Sequence, residues 1–145
     1  ALPIVPRNVT DELVGAQEEV VPLLSISDLF LLPSAQESFG LAALEAMSAC
    51  VPVIGTTAEG LPELVRSGET GYLLPVGDVE GMARRAIEVL SDPKRHGEMS
   101  EAARRAAVER YDVEKIIPLY EEFYRRVCGQ PARVPEPFTP PDALA

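Results

Sequence analysis

The sequence has few of the residues on which metal centres and disulfide scaffolds depend. It contains one histidine, His96, and two cysteines, Cys50 and Cys128, which lie far apart and form no CxxC pattern. A structural zinc site needs a closer group of ligands, and a disulfide framework needs more cysteine. We therefore expect no metal ion, two reduced thiols, a surface histidine and a reducing, cytoplasmic compartment.

Basic residues and long apolar runs are also scarce. The 23 acidic and 13 basic residues give a net charge of −10, whereas sequence-independent binding of nucleic acid depends on many Lys and Arg side chains facing phosphates. No apolar run approaches the roughly 20 residues of a membrane helix, and the segment after Ala1 does not resemble a secretion signal. The sequence predicts a soluble internal fragment of a longer protein, with no nucleic-acid partner and no membrane span.

What the chain does contain is an alternation of short apolar runs with amphipathic segments. Strands are predicted at 13–14, 28–33, 51–55 and 71–76, and helices at 18–25, 41–49, 61–65, 79–90, 93–110 and 113–127. Asp78, Asp92 and Asp112 are suited to cap the last three helices. The alternation predicts an α/β fold with a Rossmann-like, doubly wound parallel sheet, which is covered by helices on both faces and binds ligands beyond the carboxyl ends of its strands.

The helical period also predicts which side chains face the core. Inward positions are expected at Val20, Val21 and Leu24 of the first helix and at Val79, Met82, Ala83, Ala86, Ile87 and Leu90 of the fourth. The last helix should be kinked by Pro118 and lie across the sheet. Tyr120, Phe123 and Tyr124 could form a partner-binding stripe, but their helical spacing favours packing in the core. Residues 1–128 are predicted to form one partial domain, and the proline-rich residues 129–145 an extended tail.

Two glutamates, Glu37 and Glu45, follow the predicted strand 28–33 with seven residues between them. If this segment were mostly helical, the carboxylates would lie about 12 Å apart, too far for the paired acids of a glycosidase but suited to the two ends of one long ligand. Gly40 allows close approach to backbone amides at a helix start, where an anion binds favourably. A single glutamate is more often a solvated surface residue. The combination fits a nucleotide diphosphate sugar, which has hydroxyls at both ends.

The segments ESFGLAALE, AMSACVPVIGT and EGLPELV resemble the donor-site signature of the retaining family-four glycosyltransferases, which have the GT-B architecture. The resemblance extends from Val14 to Val127 and includes DLFLLPS and GETGYLLPVGD. It implies that the chain is a truncated C-terminal domain that binds a nucleotide sugar. Within the family, VVPLLSISDLFLLPSAQESFGL most resembles the enzymes that transfer N-acetylglucosamine from UDP to L-malate in bacillithiol biosynthesis.

The resemblance also implies roles for individual residues. Glu37 would be the catalytic carboxylate, nearest the transferred sugar, and Glu45 would bind the ribose hydroxyls. Donor binding is implied for four residues between them, the last three through their backbone amides: Ser38, Phe39, Gly40 and Leu41. The donor is expected to be UDP-N-acetylglucosamine, and no metal ion or other cofactor is required.

The chain departs from the family's pattern in two places. Cys50 stands where a glycine is usual, which predicts a different turn, because a non-glycine residue in the left-handed conformation is strained. Glu59 replaces the first glycine of a pair, so its side chain is expected to point away from the diphosphate or to bind a donor hydroxyl. The family's cationic diphosphate clamp and acceptor site are implied to lie upstream, and Arg7 and Arg66 are more simply solvated charges than substitutes.

Two other functions remain open at this point. The chain could come from a family-four transferase with another donor and acceptor, or it could be a non-catalytic, Rossmann-like nucleotide-binding module. With either function, the sheet has an exposed edge where earlier strands would pair. Such an edge predicts self-association of the chain.

Overall fold

A parallel sheet forms the centre of the molecule. The computed structural model describes residues 15–17 and 19–129, in which three strands pair in the order β1 (Phe30–Leu32), β2 (Val53–Thr56) and β3 (Gly71–Leu74). Leu31 lies opposite Ile54, which lies opposite Tyr72. The predicted α/β fold with a parallel sheet is confirmed. The predicted strand at 13–14, and all but the first residue of the predicted tail, lie outside the described residues.

One helix precedes β1 and others follow each strand, at the predicted places. They are α1 (Val21–Ser25), α2 (Leu41–Ser48), α3 (Leu61–Leu64), α4 (Val79–Leu90), α5 (Pro93–Tyr111) and α6 (Val113–Val127). All three predicted caps are confirmed, because the carboxylates of Asp78, Asp92 and Asp112 accept hydrogen bonds from backbone amides in the first turns of α4, α5 and α6. None of these helices is long and apolar enough to cross a membrane.

The core consists of two apolar clusters, one on each face of the sheet. One contains Val53 with side chains of α2, α3 and α5, and the other contains Ile54 with side chains of α4 and α5. Neighbouring residues of a strand point to opposite faces, so these two buried residues show that β2 is covered on both sides. The small side chains Ala103 and Ala107 allow α5 to pack closely on α2.

The predicted inward faces of α1 and α4 are partly wrong. Val20 and Val21 are exposed, and Leu24 is the buried residue of α1. In α4, Met82 is buried as predicted, but Ile87 and Leu90 are more than half exposed, whereas Val89 is fully buried. A helical period identifies an apolar stripe, but the neighbouring strands decide which part of it is covered. Leu31 of β1 is also 53% exposed, so the described helices do not cover this strand on both faces.

The core packing predicted for α6 is also wrong. None of its residues is buried, and Tyr120, Phe123 and Tyr124 are each more than half exposed. The helix has Pro118 in its interior, and its main contacts are with α5 rather than with the sheet. The aromatic part of its apolar face is therefore left exposed by the described residues, whereas Ile116 and Ile117 are partly buried.

The turn at Cys50 keeps the left-handed conformation, so the prediction of a different turn is wrong. Cys50 has φ 64°. Its amide donates to the carbonyl of Met47, and the amide of Val51 donates to the carbonyl of Ala46. These two bonds form the Schellman motif that normally places glycine at this position. The hydrogen bonds are sufficient to hold a cysteine there, although the conformation is strained.

We expect Cys50→Gly to raise the free energy of unfolding by about 0.5–1 kcal/mol, because glycine removes the left-handed strain but has more entropy to lose on folding. The cysteine side chain is exposed, so no packing is lost. Urea unfolding checks this. Cys128→Gly is the matched control, because Cys128 is also exposed but has φ −80°. Equal effects of the two substitutions would contradict the argument.

A polar cluster holds α4 and α5 against β3. The guanidinium groups of Arg85 and Arg95 lie 4.5 and 5.6 Å from the centroid of the Tyr72 ring, and both bind Glu88. The hydrogen bond to Glu88, and its charge, raise the pKa of Arg85 above its ordinary value. His96 lies at the surface, as predicted, but it is partly buried. Its Nε2 lies 2.7 Å from the carbonyl oxygen of Asp28, which ties α5 to the segment before β1.

Candidate functional site

Two loops meet at the carboxyl end of the sheet, where the fold predicts a ligand. The first follows β1 and includes residues 37–40, here called the Glu37 loop; the second follows β2 and ends at Gly60. The hydroxyl of Thr56 donates to the carbonyl of Ser34 at 2.6 Å, and the amide of Gly60 donates to the carbonyl of Glu37 at 2.8 Å. These bonds join the two loops into one surface.

Gly60 allows the two backbones to touch. A methyl group at this position would lie 2.5 Å from Cα of Phe39 and 2.5 Å from the carbonyl oxygen of Ser38. Such distances are much shorter than van der Waals contact, so a side chain here would force the loops apart. The neighbouring residue, Glu59, has an exposed side chain. In the sequence this pair is only a departure from the family's pattern, because the sequence does not reveal how close Phe39 lies to Gly60.

The Glu37 loop leads directly into α2. Gly40 is buried with φ 92°, and a methyl group on it would lie 2.8 Å from a methyl carbon of Leu61 and 3.1 Å from one of Leu64. No side chain caps α2. The first amides of a helix have no carbonyl partner within it, so they carry a partial positive charge. This helix start can therefore bind an anionic group, and Leu41, its first residue, is exposed.

Glu37 is partly buried, and its carboxylate is directed back to the loop. Its Oε1 accepts a hydrogen bond of 3.1 Å from the amide of Gly40. One of the three amides that the resemblance implies as ligand donors is therefore occupied by this carboxylate. The estimate of about 12 Å between the carboxylates of Glu37 and Glu45 applied to a mostly helical segment. As predicted, α2 begins at Leu41, so the helical rise does not describe residues 37–40.

Glu45 lies in the second turn of α2, beside a cleft. Its side chain is exposed, and the cleft has a volume of about 310 Å³. The cleft lies between α2 and the junction of α5 with α6, and its lining includes Leu44, Ser48, Tyr111 and Asp112. The lining is largely apolar, with carboxylates at Glu45 and Asp112. Such a cleft suits a ring with hydroxyl groups at its edge.

The two arginines weighed as substitutes for the upstream cationic clamp are not shown at this surface. Arg66 is exposed and pairs with Glu69 at 3.4 Å, as expected for a surface charge, and Arg7 lies outside the described residues. In the same part of the chain, no group of three or more His, Cys, Asp and Glu side chains is arranged to hold a metal ion.

The chain belongs to the glycosyl transferases group 1 family, whose sequence model matches residues 11–106. It is 49% identical over 111 residues to N-acetyl-α-D-glucosaminyl L-malate synthase of Bacillus anthracis, and the match covers 77% of this chain and 29% of that protein. The predicted resemblance is confirmed at the level of the family.

Solved glycosyltransferase structures have the same fold. Sucrose-phosphate synthase from Thermosynechococcus elongatus superposes with a TM-score of 0.73 at 29% identity, over 76% of this chain and 28% of that one. Anabaena Alr3699/HepE in complex with UDP-glucose superposes with a TM-score of 0.66 at 27% identity, over 75% of this chain and 30% of that one. The predicted GT-B fold class is confirmed, and the chain spans less than a third of the length of these relatives.

Proposed function

We propose that this chain forms the donor-binding part of a retaining glycosyltransferase that transfers N-acetylglucosamine from UDP to L-malate in the cytoplasm. The observation that supports it most directly is the hydrogen bonding that joins the two loops. Because the loops are joined, the Glu37 carboxylate and the start of α2 lie on one surface. Glu45 lies one turn further along the helix.

Each part of this surface suits one part of a nucleotide diphosphate sugar. The amides at the start of α2 favour the negatively charged diphosphate. The cleft beside Glu45 suits the nucleoside, because a carboxylate accepts hydrogen bonds from both hydroxyls of a ribose. Glu37 would then face the sugar, where a negative charge stabilises the positive charge that develops at the anomeric carbon. No metal ion is needed in this arrangement.

The choice of donor and acceptor rests on the relatives. The Anabaena structure contains UDP-glucose, and the Bacillus anthracis enzyme is named for a glucosaminyl group and L-malate. Sucrose-phosphate synthase has the same fold with another product, so a different donor and acceptor is the second candidate. The acceptor would bind to a part of the protein outside this chain, and the chain alone would then be inactive.

We expect Glu45→Gln to weaken the binding of UDP to the chain by about tenfold to a hundredfold, because hydrogen bonds to a charged acceptor contribute about 1.5–3 kcal/mol. Isothermal titration with UDP measures this. The matched control is Glu101→Gln, which makes the same change at an exposed position of α5. Stability should not change in either variant.

Three measurements separate the candidate functions. Equal UDP affinity in Glu45→Gln and the unchanged chain would remove the ribose role and favour a non-catalytic nucleotide-binding module. If the role holds, titration with UDP-N-acetylglucosamine and UDP-glucose compares the sugars. Turnover with L-malate, measured on the protein that also contains the acceptor-binding region, then tests the acceptor. Turnover only with another acceptor would support the second candidate.

A further inference from the structure

Tyr111, the last residue of α5, connects parts of the site that are far apart in sequence. Its ring packs edge-on against that of Phe39, with 5.6 Å between the centroids and 78° between the planes. Its hydroxyl donates a hydrogen bond of 3.1 Å to the carbonyl of Glu63 in α3. One partly buried side chain therefore contacts both the Glu37 loop and α3.

The helix α3 supports the same loop from another side. Leu61 and Leu64 lie directly against Gly40, and Gly60, which precedes α3, lies against the backbone of Phe39. The loop, α3 and the end of α5 therefore form a closed ring of contacts. Tyr111 contributes to it from a position 48 residues after Glu63.

The position of Tyr111 is itself fixed by the helices around it. The Asp112 carboxylate accepts a hydrogen bond from the amide of Glu114, so α5 ends and α6 begins directly after the tyrosine. The ring also packs against the core cluster that contains Ala103 and Ala107 of α5. A side chain held in this way can hold its neighbours in turn, because its own rotamer is restricted by packing.

We propose that Tyr111 is a positioning residue for the Glu37 loop. It fixes Phe39 and α3 relative to α5, so that the backbone amides at the start of α2 remain directed at the anionic group of the ligand. The identity of that ligand rests on the function proposed above, but the effect on the loop does not. Most of the effect comes from the aromatic ring, because the carbonyl of Glu63 can bind water when the hydroxyl is absent.

The test compares amide hydrogen exchange in three variants of the whole chain by NMR. The amides of Gly40 and Gly60 both donate to Glu37, so their exchange rates report on the loop. Tyr111→Leu should raise these rates about tenfold, because an aromatic pair contributes about 0.5–1.5 kcal/mol to the stability of the contact. Exchange at Ile54 in the sheet should not change. Tyr111→Phe, which keeps the ring, should retain slow exchange at Gly40 and Gly60. Tyr120→Leu is the matched control, because Tyr120 is exposed on α6.

Two results would overturn the proposal. One is unchanged exchange at Gly40 and Gly60 in Tyr111→Leu; the other is an equal rise at Ile54, which would show general destabilisation. Titration with UDP adds a second measurement, in which Tyr111→Leu should bind about tenfold more weakly. Because Tyr111 also lines the cleft beside Glu45, the exchange at Gly40 and Gly60 decides between positioning and direct contact. If the unchanged chain did not bind UDP, the proposed function would fail, and the exchange data would still decide the role of Tyr111.

Discussion

A Gly60→Ala variant is expected to bind UDP about tenfold to a hundredfold more weakly, because hydrogen bonds to a charged ligand contribute about 1.5–3 kcal/mol and the displaced loop would no longer make them. The added methyl group would lie 2.5 Å from both Cα of Phe39 and the carbonyl oxygen of Ser38. These are backbone atoms, which cannot rotate away as a flexible side chain can. The Glu37 loop must therefore move, and the bond from the Gly60 amide to the carbonyl of Glu37 must lengthen or break.

The same substitution should lower the free energy of unfolding by about 1–3 kcal/mol, the usual effect of forcing an extra methyl group into a packed site. Isothermal titration with UDP and urea unfolding measure the two effects. Gly97→Ala is the matched control, because a methyl group at Gly97 meets nothing within 4 Å and lies inside α5. It should leave binding unchanged and raise stability by about 0.5–1 kcal/mol. Normal UDP affinity in Gly60→Ala would show that the junction of the loops does not position the ligand.

The parts of this fold that depend on local sequence could be predicted. The strands β1 to β3 are short apolar runs that end at turn residues, and Asp78, Asp92 and Asp112 cap helices through bonds to amides two or three residues away. The exposure of α6 could not be predicted from its own sequence pattern. Its apolar face has the same period as a core helix, and the period does not say whether any other part of the protein covers it.

In the candidate site, too, residues that depend on local sequence could be predicted and residues that depend on distant contacts could not. Glu37, Gly40 and Glu45 were found because they lie within one short segment whose residue types suit an anionic ligand with hydroxyl groups. Gly60 and Tyr111 were not found, because their importance comes from contacts with Phe39, which is distant in sequence. The bond between Glu37 and the amide of Gly40 was also not predicted, although the two residues are close in sequence. It depends on the fold of the backbone between Glu37 and Gly40, which no residue pattern in this segment specifies.

This bond gives Glu37 two roles, which a pair of substitutions can separate. In Glu37→Gln the side-chain carbonyl can still accept the hydrogen bond from Gly40, so the loop is expected to keep its conformation, but the negative charge is lost. We expect turnover of the protein that contains the acceptor-binding region to fall by about 10²–10³-fold, the usual effect of removing one electrostatic group that stabilises a transition state. Glu37→Ala removes the acceptor as well, so amide exchange at Gly40 should rise in this variant alone.

Steady-state kinetics with saturating donor and amide exchange at Gly40 together distinguish the two roles. If the charge acts in catalysis, Glu37→Gln lowers kcat while donor binding and exchange at Gly40 remain close to those of the unchanged protein. If Glu37 only holds the loop, Glu37→Gln turns over normally and Glu37→Ala is impaired in binding. The second result would contradict the catalytic assignment. The carboxylate would then be a support for the backbone of the loop, and the sugar would be recognised by other groups on the same surface.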